Sequence, residues 1–309
     1  MSKTSCTDTR VFLWCVPRSA STAFLKCMSN VPGVQVWNEP YTMAYVNGTL
    51  LNPSFLPENT KMTRARQVLT APTPELLKIL GNSPRGKLED SKLFTYSWVK
   101  DQLEATVEEG KNCVFVKDMS FSVSGRHGDL PSSYRHTFLI RDPAEVYQSW
   151  KRIVATDMLR SSDEGSVDIT TDVPFFHAEA FFKMSYELWK YATEIKGDIK
   201  PVVVDADDLV NHPELILPKY FKEIGLEFDD KYLQWDASQD VVQEWRGCFE
   251  STTVGGFLNT YRTAFRSSCF SPSDNRKIDV TSLPADVQKC IAASMPFYEA
   301  MYEARLTAD

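Results

Sequence analysis

No run of 18 apolar residues occurs in this 309-residue sequence, which excludes a membrane-spanning helix. No Cys-x-x-Cys pair is present, and the seven cysteines are scattered and odd in number, so no disulfide framework is expected. Histidine is scarce: the four, at 127, 136, 177 and 212, show no ligand spacing, and no metal is expected. Positive charge is in deficit, with a net charge of −7 and a sequence pI of about 5.3, which argues against nucleic acid as a partner. The residues MSKTSCTDTR contain no apolar signal-peptide region, so the expected location is the cytoplasm. Glycine is missing from one informative place, between Arg10 and Pro32, where the G-x-x-x-x-G-K-[ST] cradle of nucleoside triphosphates would have to lie.

What occupies that place is RVFLWCVPRSASTAFLKCMS, residues 10–29. An uncharged apolar run (Val11 to Val16) stops at Pro17, and the small residues Ser19, Ala20, Ser21 and Thr22 follow. A helical pattern starts near Ala23. Strand, small-residue turn and helix form a phosphate cradle, because successive N–H groups and the positive end of the helix dipole face one concavity. Arg18 adds a cation. A plain β–α turn with Ser19 or Ser21 as helix cap is the alternative.

A second segment, HTFLIRDPAEVYQSWKR at 136–152, repeats the layout. A buried run ends at Arg141, and Asp142, Pro143 and Glu145 fill N-cap, N1 and N3 of a new helix. Arg141 therefore sits at the carboxyl edge of a strand, where open α/β sheets bind ligands. Its side chain can share one phosphate with Ser149, two turns on. The alternative is a local pair with Asp142 or Glu145.

Together, PRSAST (17–22) and RDPAEVYQS (141–149) resemble the sulfotransferases that use 3′-phosphoadenosine 5′-phosphosulfate (PAPS). In that family P-[KR]-S-G-[ST]-T binds the 5′-phosphosulfate and R-D-P-x-x-x-x-x-S the 3′-phosphate. Ala20 departs from the usual glycine. The stretch PVVVDADDLVNHPELILPKYFKEIGLEFD (201–229) is similar to a later strand–helix block of the family, and the resemblance covers about half the chain in blocks. It implies PAPS as co-substrate and a small-molecule acceptor, with Arg18, Ser19, Ala20, Ser21, Thr22, Ala23, Arg141 and Ser149 as cofactor-binding residues. ESTTVGGFLNTY (250–261) loosely matches the family's last cofactor loop with its cations lost, leaving Ser251, Thr252 and Thr253 for any contact there. Other readings of the same residues are a P-loop-type nucleotide kinase and a non-catalytic protein of the PAPS fold.

Five apolar runs (Val11–Val16, Val34–Trp37, Cys113–Lys117, Thr137–Ile140 and Val202–Asp205) are expected to form buried parallel strands. Helical patterns alternate with them near 21–30, 74–80, 97–109, 143–158, 174–196, 213–224 and 284–305. The expected architecture is α/β, a three-layer, doubly wound, five-stranded parallel sheet of P-loop type, in one domain over 1–309. The stretches 41–111 and 160–172 are expected to be loops or lids over the site.

The resemblance also places chemistry. Many cytosolic members carry K-x-H after the third strand, with lysine on the sulfate and histidine as base. Here the residues are Lys117-Asp118-Met119, so the lysine is kept and the histidine is lost. Glu39, closing the second strand in VQVWNEPY, is the expected replacement. Some branches, including the tyrosylprotein and trehalose sulfotransferases, place a catalytic glutamate there. A carboxylate in a partly dry cleft is a better base. The expected catalytic residues are thus Glu39, Lys117 and Arg18, with Asp118 as second candidate base and a strand-end ion pair as Glu39's alternative role. Lys26, Lys151 and Arg152 are expected to join Arg18, Lys117 and Arg141 in a local positive spot. The aromatics Phe175, Phe176, Phe181, Phe182, Tyr186 and Trp189, with His177, suggest an apolar or amphipathic acceptor pocket.

Overall fold

The structure, a computed structural model, describes residues 8–50, 61, 94–196, 200–237, 244–247, 258–272 and 278–308. The expected helix at 74–80 and Ser251, Thr252 and Thr253 lie outside the described residues. Each expected apolar run is a strand: β1 (Thr9–Cys15), β2 (Val34–Asn38), β3 (Cys113–Met119), β4 (Arg135–Ile140) and β5 (Val202–Asp205). Successive side chains of a strand point to opposite faces. Val11, Phe12, Leu13 and Trp14 are all fully buried, so both faces of the sheet are covered, as a three-layer α/β fold requires.

The sheet order is β5-β4-β1-β3-β2-β6, every pair parallel. The sixth strand, β6 (Arg246–Gly247), was not expected from the sequence, since two residues leave no pattern. Gly247 has φ +93° and lies so close to β2 that a Cβ would stand 2.4 Å from the Asn38 carbonyl oxygen. Only glycine permits that approach.

Nine helices occur among the described residues with these bounds: α1 (Ser21–Ser29), α2 (Pro40–Leu50), α3 (Tyr96–Glu104), α4 (Pro143–Ile153), α5 (Phe181–Lys196), α6 (Ala206–Asn211), α7 (Pro213–Ile224), α8 (Leu258–Phe265) and α9 (Ala285–Tyr302). Three differ from expectation in ways that shape the site. Pro40 is the first residue of α2, so the expected loop at 41–111 begins as a helix. The helix expected over 143–158 changes at Val154 into a π-helical turn, Val154–Met158. The expected helix at 174–196 is preceded by two 3₁₀ turns joined at His177 and becomes α-helical only at Phe181.

Register aligns the strand ends. Cys15 pairs with Met119 and Leu139, and Asn38 pairs with Lys117. Pro17, Glu39 and Arg141 therefore follow their strands along one carboxyl edge, with Lys117 near the end of β3 beside them. No helix among the described residues is long and apolar enough to cross a membrane.

Candidate functional site

The turn from β1 to α1 has two residues in the left-handed region, Arg18 (φ 65°) and Ala20 (φ 59°). Ser19 is buried and its hydroxyl donates to the Val16 carbonyl at 2.8 Å. Ala20 is the N-cap of α1, and its carbonyl accepts from the amides of Ala23 (3.0 Å) and Phe24 (3.2 Å). No side chain caps this helix end. Amides and dipole are thus aimed at a cleft whose wall contains all of Arg18 to Ala23, a geometry suited to an anion. The left-handed cap explains why glycine suits position 20, and alanine holds it under strain. Ala20→Gly is expected to stabilise the protein by about 0.5–1 kcal/mol, relief of strain exceeding the added unfolded-state entropy, as measured by urea denaturation.

Arg18 and the second motif meet directly. The Arg18 Nε donates to Ser149 Oγ at 3.0 Å, and Arg141 Nη1 donates to the Arg18 carbonyl at 3.2 Å. Asp142 caps α4 as its sequence position implies, accepting from the Ala144 amide at 2.7 Å. Arg141 also ion-pairs with Glu145 and stands 3.5 Å from Asp207, so the expected local pair exists alongside the contact to Arg18. Burial pulls the Arg18 guanidinium below its usual value; Tyr261 opposes that shift and Arg141 adds to it.

Only three of the six expected cations line this cleft: Arg18, Lys117 and Arg141. The buried Lys26 ammonium instead donates to the carbonyls of Asp236 (3.0 Å), Phe265 (2.8 Å) and Ser267 (3.0 Å), tying α1 to the end of α8 and to the chain around Asp236. Lys151 donates to the Val167 carbonyl at 2.6 Å and pairs with Asp286 at 2.8 Å. Arg152 is exposed near Glu164. Asp286 also accepts from the Ile169 amide at 2.9 Å, so residues 160–172, expected to be a mobile lid, are pinned to α4 and α9 and do not line the cleft.

At the centre of the strand edge lies a buried pair. The Lys117 ammonium, fully buried, donates to Glu39 Oε1, and the Tyr261 hydroxyl donates to Glu39 Oε2 at 2.9 Å. Glu39 itself has φ 54°, a left-handed value uncommon outside glycine. Its backbone is fixed by a 2.7 Å bond from its amide to the Lys117 carbonyl. Both carboxylate oxygens are therefore held, one by a cation and one by a phenol. The strand-end ion pair is real, but its partner is Lys117 and it faces the cleft. Tyr261, on α8, was missed by sequence reasoning. Its only signal was its place at the end of the loosely matched segment 250–261.

Asp118, the second candidate base, points elsewhere. Its carboxylate accepts from the amides of Tyr41 (2.6 Å), Thr42 (3.1 Å) and Met119 (2.8 Å) and from the Thr42 hydroxyl (2.7 Å). It thus holds the first turn of α2, and it is not among the residues of the cleft wall. Burial pushes its carboxyl up, to about 7, against the pull of the Thr42 hydroxyl and the Met119 and Tyr41 amides. Asp118→Asn would turn an NH₂ group toward these donors. It is expected to destabilise the fold by about 2–4 kcal/mol in chemical denaturation, while the folded fraction keeps its ligand affinity.

The cleft measures about 290 Å³. Much of its lining is apolar, with Met43 and Val46 of α2, Met119, Phe121, Trp150 and Phe176 among the residues that form this apolar wall. Of the expected aromatics only Phe176 reaches it. Phe175, Phe181 and Phe182 are core residues. Tyr186 packs against Trp189 and Phe297, and His177 is exposed outside the wall.

No family model and no curated protein matches the chain. Among solved structures it is similar to the sulfotransferase domain from the curacin biosynthetic pathway, with 14% identity and a TM-score of 0.47, covering 93% of this chain and 98% of that one. It is also similar to the sulfotransferase domain of the Synechococcus PCC 7002 olefin synthase (18% identity, TM-score 0.49, 96% and 95% covered). A sulfotransferase from Alicyclobacillus acidocaldarius is a third (12%, 0.44, 96% and 96%). At identities and TM-scores this low the likenesses carry no inference about function, which rests on the residues of the cleft.

Proposed function

We propose that this chain is a PAPS-dependent sulfotransferase that moves a sulfuryl group to a hydroxyl or amine of a small molecule. The observation that supports the reading is convergence. Two motifs more than a hundred residues apart meet through Arg18, Ser149 and Arg141, beside a lysine–glutamate pair on the same sheet edge.

The donor set fits a ligand with two phosphate-type groups. The uncapped end of α1 and Arg18, with residues 19–23, would hold the 5′-phosphosulfate; Arg141 and Ser149 would hold the 3′-phosphate. When bound, PAPS supplies an activated sulfuryl group and a phosphate that leaves readily. Arg18 stabilises the charge that grows at the phosphate loop. Glu39 accepts the proton of the acceptor hydroxyl. For that, Lys117 must release Oε1, and its ammonium then turns to the negative charge in the cleft, while Tyr261 keeps Oε2 fixed. Tyr261 is thus a positioning residue. Three side-chain cations carry out the charge stabilisation that other transferases assign to a metal.

We read the chain as one domain over 1–309, acting in the cytoplasm; its described cysteines are all free, which suits a reducing compartment. The test is thermal unfolding with 3′,5′-adenosine bisphosphate and with ATP–Mg²⁺. Bisphosphate at a hundredfold excess over its Kd is expected to add about 2.7 kcal/mol, a rise of several degrees. Stabilisation by ATP–Mg²⁺ alone would replace this reading with a kinase.

A further inference from the structure

We infer that the acceptor is an apolar alcohol or phenol, not a sugar or a polar peptide; the inference rests on the sulfotransferase reading above and names the substrate class of the same cleft. It comes from the chemistry of the apolar side chains that line the same cleft as Glu39. Met43, Val46, Met119, Phe121, Trp150 and Phe176 approach from four separate parts of the chain, and none presents a hydrogen-bonding group to the cleft. The one polar atom among them, the Trp150 indole nitrogen, is buried without a partner and is not open to the cleft.

Two polar side chains of the lining are already engaged, while Thr263, Ser267, Cys269 and Ser271 come from α8 and the chain that follows it, separate from the elements that carry the six apolar residues. The Thr42 hydroxyl donates to Asp118, and the Tyr261 hydroxyl donates to Glu39. Arg18 and Arg141 belong to the anion end. A sugar lying against this wall would leave several hydroxyls without partners, each lowering affinity by roughly tenfold. One hydroxyl on an apolar body has its single polar group at Glu39 and the rest against the wall.

The wall is also preformed. Phe176 meets Phe121 at 5.7 Å and Trp150 at 5.0 Å, both edge-on. Met43 and Met119 beside them are unbranched and adapt to irregular apolar shapes.

The experiment measures transfer of labelled sulfonate from PAPS to 1-decanol and 2-naphthol, against glucose and serine amide. The kcat/KM for the apolar pair is expected to exceed that for the polar pair by at least 10²-fold. Val46→Thr, nearly isosteric, should lower the apolar value about fivefold, and Phe176→Asp by more than tenfold. Both variants should keep bisphosphate affinity within threefold, which also verifies that they are folded. Preference for glucose or serine amide would overturn the inference. So would wall variants that leave apolar turnover unchanged, or no transfer to the apolar pair by protein that binds the bisphosphate. A parent protein that does not bind the bisphosphate would instead remove the donor reading, and this inference with it.

Discussion

Glu39→Gln is expected to lower sulfuryl transfer by about 10²–10⁴-fold per folded molecule while bisphosphate affinity stays within a few-fold. The substitution keeps the length of the side chain and removes its ability to take a proton. The structure adds a second consequence. Glu39 stands between two donors, the Lys117 ammonium and the Tyr261 hydroxyl. A glutamine can offer its oxygen to only one of them and must turn its NH₂ toward the other. It also removes the carboxylate charge that pairs with the fully buried Lys117, and breaking a buried pair typically costs about 3–5 kcal/mol. The variant is therefore expected to be less stable as well as slow, and the two effects have to be separated. The double variant Lys117→Met with Glu39→Gln removes the other charge of the pair as well. It should regain part of the stability and none of the turnover. Recovery of turnover in the double variant, or normal turnover per folded molecule in Glu39→Gln, would reduce Glu39 to a strand-end partner. Asp118→Asn gives the complementary control: loss of turnover there, with Glu39→Gln active, would move the base to the other carboxylate.

The parts of the site legible in sequence were those written in local pattern. Buried parallel strands need apolar residues on both faces, so Val11–Val16 and Val202–Asp205 stand out as uninterrupted runs. Arg141 could be placed because Asp142 and Pro143 mark a helix start, which puts the residue before them at a strand end. The lost histidine at Met119 directed attention to Glu39, and the structure brings Glu39 against Lys117 in the cleft. What was not legible depends on tertiary placement. Lys26 and Lys151 have the same charge as Arg141, and nothing local says that they hold carbonyls and Asp286 instead of a ligand. Tyr261 comes to Glu39 from α8, over two hundred positions downstream. Pro40 suited either a strand stop, because it has no N–H to donate to the ladder, or a helix start, because its fixed φ is already helical. The left-handed values at Arg18, Ala20 and Glu39 carry no signal in residue type, since only glycine announces them. All three cluster at the cleft, where strain is kept for positioning.

Arg141→Ala is expected to weaken 3′,5′-adenosine bisphosphate binding by about 10²–10³-fold, roughly 3–4 kcal/mol, in isothermal titration. Affinity for 5′-AMP, which lacks the 3′-phosphate, should change less than threefold. The difference between the two ligands is the informative quantity, because Arg141 has a structural share in the site as well. Its Nη1 supports the Arg18 carbonyl at 3.2 Å, and that contact helps to shape the phosphate loop that both ligands would use. Loss of this support alone would weaken both ligands equally. The carboxylates around Arg141 raise the expected difference. Glu145 and Asp207 remain when the guanidinium is removed, and their negative charges would repel a phosphate bound beside them. Burial already holds Glu145 above the usual carboxylate range, with Arg141 the principal opposing influence. Arg141→Lys separates charge from shape: it keeps one positive charge and gives up the planar fork, so its loss should fall between wild type and alanine. Equal weakening of bisphosphate and 5′-AMP in both variants would show that Arg141 only braces the loop, and the 3′-phosphate site would have to be sought elsewhere along the sheet edge.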